Sequence, residues 1–315
     1  MHMRADRDVI IIGAGAAGLT AAQYAARSNL NALLLEELAP GGQCLIIDNL
    51  ENYPGFPDPL PGIELSQKFE EQARHFGAEI QTYSVHAVSK KGKLFTVDTD
   101  NGALTSPTVI VATGAKHKKL GIPGEQDFSG RGVSYCATCD GPFFKGKRML
   151  VAGGGDAACD EAMFLAKLTD QVIMIHRRDR FRAQRALAER TLKNPNIEVR
   201  WNTEAKVIRG DAKVQEVVLW QNDKDETYTE KVEVVFVFIG SVPQTQVVKD
   251  LDVQKDEGGY IVTTQRMETS VPGLYAVGDV RATPFRQLVV AAGEGAIAAH
   301  AASQYIDELK GEAYK

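Results

Sequence analysis

Two glycine loops, Gly13-Ala-Gly15-Ala-Ala-Gly18 and Gly153-Gly-Gly155-Asp-Ala-Ala158, have first glycines 140 residues apart. Each follows a short apolar run, residues 9–12 and 149–152, and each precedes an alanine-rich stretch with helical spacing, residues 19–26 and 159–168. Strand, tight turn and helix is the context in which such a loop cradles a dinucleotide. The first glycine makes the turn, and the second lets the backbone approach a pyrophosphate. The third position must be small where helix packs on strand. The pyrophosphate then rests on the positive end of the helix. A second apolar run closes each unit, 32–35 before Glu36 and 172–175 before His176. Both closing positions lie 23 residues after the first glycine. The chain is therefore expected to be duplicated at the level of the βαβ unit.

The two closing positions differ in charge. Glu36 stands where a ribose would lie; its carboxylate can accept from a 2′-hydroxyl and would repel a 2′-phosphate. The second unit continues His176-Arg177-Arg178-Asp-Arg-Phe-Arg182. Guanidinium groups are planar, permanently charged and able to bind a phosphate in a bidentate way. A solvated surface or a nucleic-acid patch would also use arginines, but their place inside a βαβ unit favours the nucleotide. The first unit thus fits a nucleotide without a 2′-phosphate, such as FAD, and the second fits NADPH.

A chain of 315 residues is long enough for two domains, and a net charge of −5 argues against nucleic acid as a main partner. No apolar run reaches membrane-spanning length, and Met1-His-Met-Arg-Ala-Asp-Arg7 holds no signal core, so a cytoplasmic location is expected. There, Cys136-Ala-Thr-Cys139 reads as catalytic or metal-binding rather than as a structural staple. Four cysteines with one close pair, and six histidines without ligand spacing, argue against zinc, and no metal is expected. Cys159 falls on the helix after the second loop and reads as a small buried residue; Cys44 is given no role.

After each βαβ unit comes a strand-rich stretch. In the first, residues 94–97 alternate, Asn101-Gly102 signals a hairpin, and 108–112 form a buried strand ending in Thr113-Gly114. The second has strands expected at 198–201, 214–220 and 232–239. The tail contains Gly273-Leu-Tyr-Ala-Val-Gly278-Asp279, a strand with an acid at its carboxyl end, then Arg286-Gln287 and a helical stretch to about Tyr305. Periodicity leaves open which unit this tail completes.

With these residues in order, the chain resembles the low-molecular-weight thioredoxin reductases of the bacterial and archaeal flavoprotein type. The resemblance covers nearly the whole chain: both glycine loops, Gly41-Gly42-Gln43, Asn52-Tyr53-Pro54-Gly55, Ala112-Thr113-Gly114, Cys136–Asp140, His176–Ala183, Gly278-Asp279 and Arg286-Gln287. It implies an α/β fold of two Rossmann-like three-layer dinucleotide-binding domains, one inserted in the other. The FAD domain would comprise residues 1–118 and 248–315. The NADPH domain, 119–247, would carry the redox dithiol between hinges near Lys118-Lys119-Leu120 and Pro243–Val247. A homodimer is implied as well.

The resemblance also carries roles. Gly13, Gly15, Ala16, Ala17 and Glu36 would line the adenosine and pyrophosphate of FAD. Gly42, Gln43 and Asn52 would border the flavin, with Ala112, Thr113, Gly114, Gly278, Asp279, Arg286 and Gln287 completing that site. Gly153, Gly155, Asp156 and Ala157 would cradle the NADPH pyrophosphate, with His176, Arg177, Arg178 and Arg182 around the 2′-phosphate. Position 157 is Ala where many relatives have Ser or Thr, which leaves a backbone N–H for the phosphate. Reducing equivalents would pass from NADPH to FAD, to the Cys136–Cys139 disulfide and on to oxidised thioredoxin. Cys139 would lie nearer the flavin, Cys136 would attack the partner disulfide, and Asp140 would act as acid–base. The rivals are an alkyl-hydroperoxide-reductase flavoprotein serving another thioredoxin-fold or peroxiredoxin-system partner, an NADPH oxidase or ferredoxin–NADP reductase, and a redox sensor. The first carries an additional N-terminal thioredoxin-like region, not expected where a glycine loop starts at residue 13. The oxidases and ferredoxin–NADP reductases lack the dithiol. A sensor would not turn over NADPH with a disulfide acceptor.

Overall fold

The computed structural model describes residues 5–47 and 50–312. Met1–Arg4, on which the N-terminal reading partly rests, lie outside the described residues. The chain divides into two compact units. One takes in residues up to Lys116 and from Val242 onward, the other His117–Ser241. The boundaries thus fall at 116/117 and 241/242, a few residues before those expected from the sequence.

The first unit runs β1 (Val9–Ile12), α1 (Ala16–Arg27), β2 (Ala32–Glu36), α2 (Gly62–His75), β3 (Glu79–Thr82), β4 (Val85–Lys91), β5 (Leu94–Thr99), β6 (Gly102–Ser106) and β7 (Thr108–Val111), with β8 (Ala115–His117) leading out. The second runs β9 (Val133–Ser134), α3 (Ala137–Asp140), β10 (Met149–Gly153), α4 (Asp156–Leu165), β11 (Val172–Ile175), α5 (Arg185–Lys193), β12 (Ile197–Arg200), β13 (Thr203–Gly210), β14 (Val214–Gln221), β15 (Glu226–Lys231) and β16 (Val234–Phe238), with β17 (Ser241–Pro243) leading back. β18 (Leu274–Ala276) and α6 (Leu288–Lys310) follow. β8 and β17, the two crossings, pair with each other.

Each unit holds one five-stranded parallel sheet and one three-stranded antiparallel meander. The parallel orders are β18-β7-β1-β2-β3 and β12-β11-β10-β16-β9. Read from the glycine-loop strand outward they correspond, β1 with β10, β2 with β11, β3 with β12, β7 with β16, and β18 with β9. The fifth strand comes from opposite ends: from the tail in the first unit, from the entering segment in the second. β18 pairs with β7, so the tail completes the first unit, and the second is an insertion within it.

Each parallel sheet is a middle layer, which is why its inner strands β1, β7, β10, β11 and β16 are buried at every residue, while the edge strands β3 and β12 carry partly exposed polar residues. Along β1, Val9 and Ile11 face α1 and α6, while Ile10 and Ile12 face the meander with Phe95 and Val97. In β10, Met149 and Val151 join the helix-side core, and Leu150 and Ala152 the meander-side core with Val217 and Leu219. Each Val, Leu, Ile, Phe or Met side chain among them taken wholly out of water contributes roughly 1.5–3 kcal/mol. α1 and α6 are alanine-rich because they pack closely; a Cβ on Gly295 would run into the Ala17 carbonyl.

Some boundaries differ from the sequence expectation. α4 ends at Leu165 rather than at 168, because Lys167 and Leu168 donate to Phe164 and Leu165 in a tighter turn. α6 continues past Tyr305 to Lys310, where left-handed Gly311 (φ +76°) stops it.

Candidate functional site

β1, β2, β7 and β18 are parallel, so their carboxyl ends share one edge of the first unit, where open α/β sheets bind ligands. The first glycine loop sits at this edge. Gly13 has φ +101°, and a Cβ there would meet the Ala112 carbonyl oxygen at 2.5 Å. A Cβ on Gly18 would collide with the Gly13 carbonyl. At Gly15, by contrast, no protein atom lies within 4 Å of the Cβ position. Protein packing therefore accounts for the first and third glycines and leaves the face of the second open. Gly15 caps α1 without a side-chain bond, and the first turn, from Ala16 and Ala17, holds no acid. Its N–H groups suit an anionic pyrophosphate.

The other members of this cluster converge on the same edge. Glu36 Oε2 accepts the Ala14 N–H at 2.7 Å and Oε1 that of Leu38 at 3.2 Å, bracing the loop while each oxygen keeps acceptor capacity. A Cβ on Gly42 would lie 3.2 Å from the Gly15 Cα. Gln43 Nε2 donates to the Ala115 carbonyl at 2.8 Å, and Asn52 Nδ2 to Gln287 Oε1 at 3.0 Å, at the start of α6. Thr113 Oγ1 donates to the Gln244 carbonyl at 2.6 Å, and the Gln244 backbone N–H to that of Gly114 at 2.9 Å. Asp279 is raised above the usual carboxylate range by burial, opposed by the nearby Arg286 charge and reinforced by that of Glu294. The Arg286 guanidinium lies 4.1 Å from the centre of the Tyr260 ring. Sequence reading missed Glu294, which is buried, accepts the Gly278 N–H at 2.7 Å and pairs with Arg281. Its signal was an acid in an otherwise alanine-rich helix.

In the second unit Gly153 and Gly155 frame the start of α4. Gly155 is open, with no protein atom within 4 Å of a Cβ position, and Ala157 is exposed in the first turn. The resemblance groups Asp156 with the pyrophosphate contacts; in the structure its carboxylate accepts both the backbone N–H (2.7 Å) and the side-chain amide (2.8 Å) of Gln184. Any contact with an anion therefore falls to its backbone. Arg177, Arg178 and Arg182 are exposed, and the Arg182 N–H donates to the Gly154 carbonyl at 2.7 Å, tying the arginine loop to the glycine loop. His176 differs from them. It is 6 % exposed and packs against Phe181 and Trp201. Burial, with the arginine charges, pushes its pKa down. It is neutral at pH 7, and the positive charge belongs to the arginines.

Cys136 and Cys139 form a disulfide across the α3 turn. Cys136 Sγ accepts the Cys139 N–H at 3.2 Å, and the Cys136 N–H donates to buried Ser134 Oγ at 3.1 Å. Cys139 is exposed, whereas Cys136 and Asp140 are half-buried. Exposure alone would thus make Cys139 the sulfur a partner meets first, opposite to the role the resemblance gives Cys136. The preceding Tyr135 donates to Glu125 at 2.7 Å; Glu125, 3 % exposed, also accepts from Leu120 and Gly121 at 2.7 Å each. Cys44 and Cys159 are buried free thiols, and burial raises the Cys159 pKa to about 11.

The chain thus carries two glycine-loop units, the second of which also holds the Cys-x-x-Cys disulfide. A family model for pyridine nucleotide-disulphide oxidoreductases matches residues 7–295. The chain belongs to this family. It is 55% identical over 308 residues to the thioredoxin reductase of Treponema pallidum, covering 98% of this chain and 100% of that protein. Among solved structures, Lactococcus lactis thioredoxin reductase is 41% identical, with 96% and 100% of the two chains covered and a TM-score of 0.94. For the T. acidophilum thioredoxin reductase the values are 37%, 97%, 100% and 0.90. The family's two Rossmann-like domains correspond to the two compact units, and the relationship read from the motifs holds across nearly the whole chain.

Proposed function

We propose that the protein is an NADPH-dependent, FAD-containing thioredoxin-disulfide reductase. The observation that carries this reading is the Cys136–Cys139 disulfide, on a short helix in the unit that also holds the second glycine loop and the exposed arginines. Gly13, Gly15, Glu36 and the residues around Asp279 would hold FAD, and Gly155 with Arg177, Arg178 and Arg182 would hold NADPH. When bound, these cofactors supply hydride and electron transfer. The chain's own chemistry is thiol–disulfide exchange. One thiolate attacks the partner disulfide and forms a mixed disulfide, and the second displaces the partner's remaining sulfur, re-forming Cys136–Cys139. Asp140, next to Cys139 in the chain, would give a proton to the leaving thiolate.

A protein rather than a small disulfide fits the surface beside this turn. Phe143, four residues past exposed Cys139, is 83% exposed, an apolar area that a docked partner can cover. The reading includes a homodimer, checked by light scattering, and a cytoplasmic setting in which Cys44 and Cys159 remain thiols. No helix among the described residues is long and apolar enough to cross a membrane.

The deciding assay follows NADPH oxidation by the FAD-loaded protein with oxidised thioredoxin. Turnover that saturates with thioredoxin is expected. Turnover with only a peroxiredoxin-system partner, or with oxygen alone, would replace the substrate assignment. Arg178→Ala tests the nucleotide assignment. It is expected to raise KM for NADPH about 10- to 100-fold, the loss of a charged hydrogen bond, and to leave NADH kinetics nearly unchanged. Equal loss with both nucleotides would remove the 2′-phosphate role.

A further inference from the structure

Against the disulfide turn lies a half-buried glutamate, one carboxyl oxygen of which is enclosed, that the scheme above does not use. Glu161 lies in the second turn of α4, against which α3 packs. Its carboxylate accepts the N–H of Ala137, the residue between Cys136 and Thr138, which is itself fully buried. The second oxygen, Oε2, is enclosed and has no hydrogen-bond partner among the described residues. An ionised carboxylate has room for about four donors, so one N–H leaves this one poorly solvated. The peptide groups on both sides of Cys136 are thus held by side chains, Ser134 before it and Glu161 after it.

We propose that Glu161 is a proton-holding positioning residue for the dithiol, neutralised when Cys136–Cys139 is reduced and ionised again when the disulfide re-forms. Reduction of the disulfide by two electrons and one proton gives one thiol and one thiolate. The new negative charge disfavours a second one on the neighbouring carboxylate, so Glu161 takes up a further proton from solvent. Reoxidation sends both electrons to the acceptor disulfide, and Glu161 releases its proton. Under the proposed function the electrons come from NADPH; any dithiol reductant serves equally.

The surroundings place this exchange in the neutral range. Burial, then the charge of Asp160, raises Glu161 to about 7, while the Ala137 N–H draws it down. Its own helix also carries Asp156, which is bonded to Gln184. Against α4, helix α3 brings Asp140, and α5 brings Arg185, Glu189, Arg190 and Lys193, of which Arg185 pairs with Glu189. β10, β11 and β16 bring no titratable side chain. A pKa raised above the carboxylate range means that the proton is held below about pH 7 and lost above it in the disulfide form. In the dithiol form that loss moves to higher pH.

The test equilibrates the holoenzyme with dithiothreitol redox buffers between pH 6 and 9. Alkylation and mass spectrometry of the peptide containing Cys136 and Cys139 then give the dithiol fraction. Wild type is expected to take up an additional proton per two electrons above about pH 7, and Glu161→Gln to lose that uptake. Gln keeps the size and an acceptor for the Ala137 N–H, so a merely structural role would leave the pH profile unmoved. At pH 8.5 the dithiol of the variant is expected to be favoured about tenfold over wild type, the equivalent of one pKa unit of like-charge coupling. Identical pH profiles for the two proteins overturn the proposal. So does a wild-type slope that stays constant from pH 6 to 9, a result that needs no variant to fold. The proposal rests on the dithiol being redox-active, but the measurement uses no thioredoxin, so failure of the substrate assignment and failure of this inference give different results.

Discussion

Cys136→Ser and Cys139→Ser are each expected to lower thioredoxin turnover by about 10⁴-fold or more, while the flavin is still reduced by NADPH at the wild-type rate. A hydroxyl cannot form the disulfide that accepts two electrons, and at neutral pH it is a poor nucleophile toward sulfur. The two thiols act as a unit, so the double variant should be no worse than either single one. Anaerobic rapid mixing with NADPH and then oxidised thioredoxin separates the steps. Both variants should bleach, and only wild type should regain its colour when thioredoxin is added. A serine variant that reoxidised with thioredoxin at the wild-type rate would remove the dithiol from the pathway. Asp140→Asn belongs in the same experiment: it should slow reoxidation and spare bleaching, and equal loss of both steps would count against its role as proton donor.

The same pair of variants decides which sulfur attacks. The resemblance gives that role to Cys136, yet Cys139 is the exposed member of the disulfide. With a thioredoxin lacking its resolving cysteine, Cys139→Ser is expected to accumulate a mixed disulfide through Cys136, and Cys136→Ser to accumulate none. The reverse pattern would assign attack to Cys139 and agree with the exposure seen in the disulfide form.

What the sequence revealed and what it hid follow from the range of the forces involved. Val9–Ile12 and Met149–Gly153 were legible because a strand buried on both faces is apolar at every residue and a glycine turn ends it. The duplication was legible because two such units share a spacing. The home of the tail came only from the resemblance and not from periodicity, since β18 pairs with β7 across the entire inserted unit, and local periodicity carries no record of such pairing. The missed residues are all acids. Glu125, Glu161 and Glu294 read as solvated charges along the chain and become anchors only when packing brings backbone donors to them: Leu120 and Gly121, Ala137, and Gly278. Conversely, the resemblance groups His176 and Asp156 with the nucleotide contacts. The fold buries the first against Trp201 and gives the carboxylate of the second to Gln184.

The glycines of the first loop should separate into two kinds when each is replaced by alanine. Gly18→Ala puts a methyl group against the Gly13 carbonyl, where only backbone can yield. The start of α1 must then move off the β1 turn, at a cost of about 3 kcal/mol or more in the flavin-free protein. Gly15→Ala meets no protein atom within 4 Å, and its φ of −72° suits any residue, so flavin-free stability should stay within about 0.5 kcal/mol of wild type. If the open face of Gly15 meets the pyrophosphate, as proposed, the methyl group would stand in its way, and flavin retention should fall by at least tenfold. Gly155→Ala, equally open and at φ −101°, should raise KM for NADPH and leave both stability and flavin content unchanged. Urea unfolding must be run on protein stripped of flavin, because a ligand that binds only the folded state adds its own stabilisation and would make Gly15→Ala look like a folding defect. If Gly15→Ala destabilised the stripped protein as much as Gly18→Ala, the second glycine would be serving the fold, and the case for a pyrophosphate at the start of α1 would lose its main support. If stability held while flavin was lost, the open face of Gly15 would be a ligand contact, and the equivalent face of Gly155 would be the first place to look for the second nucleotide.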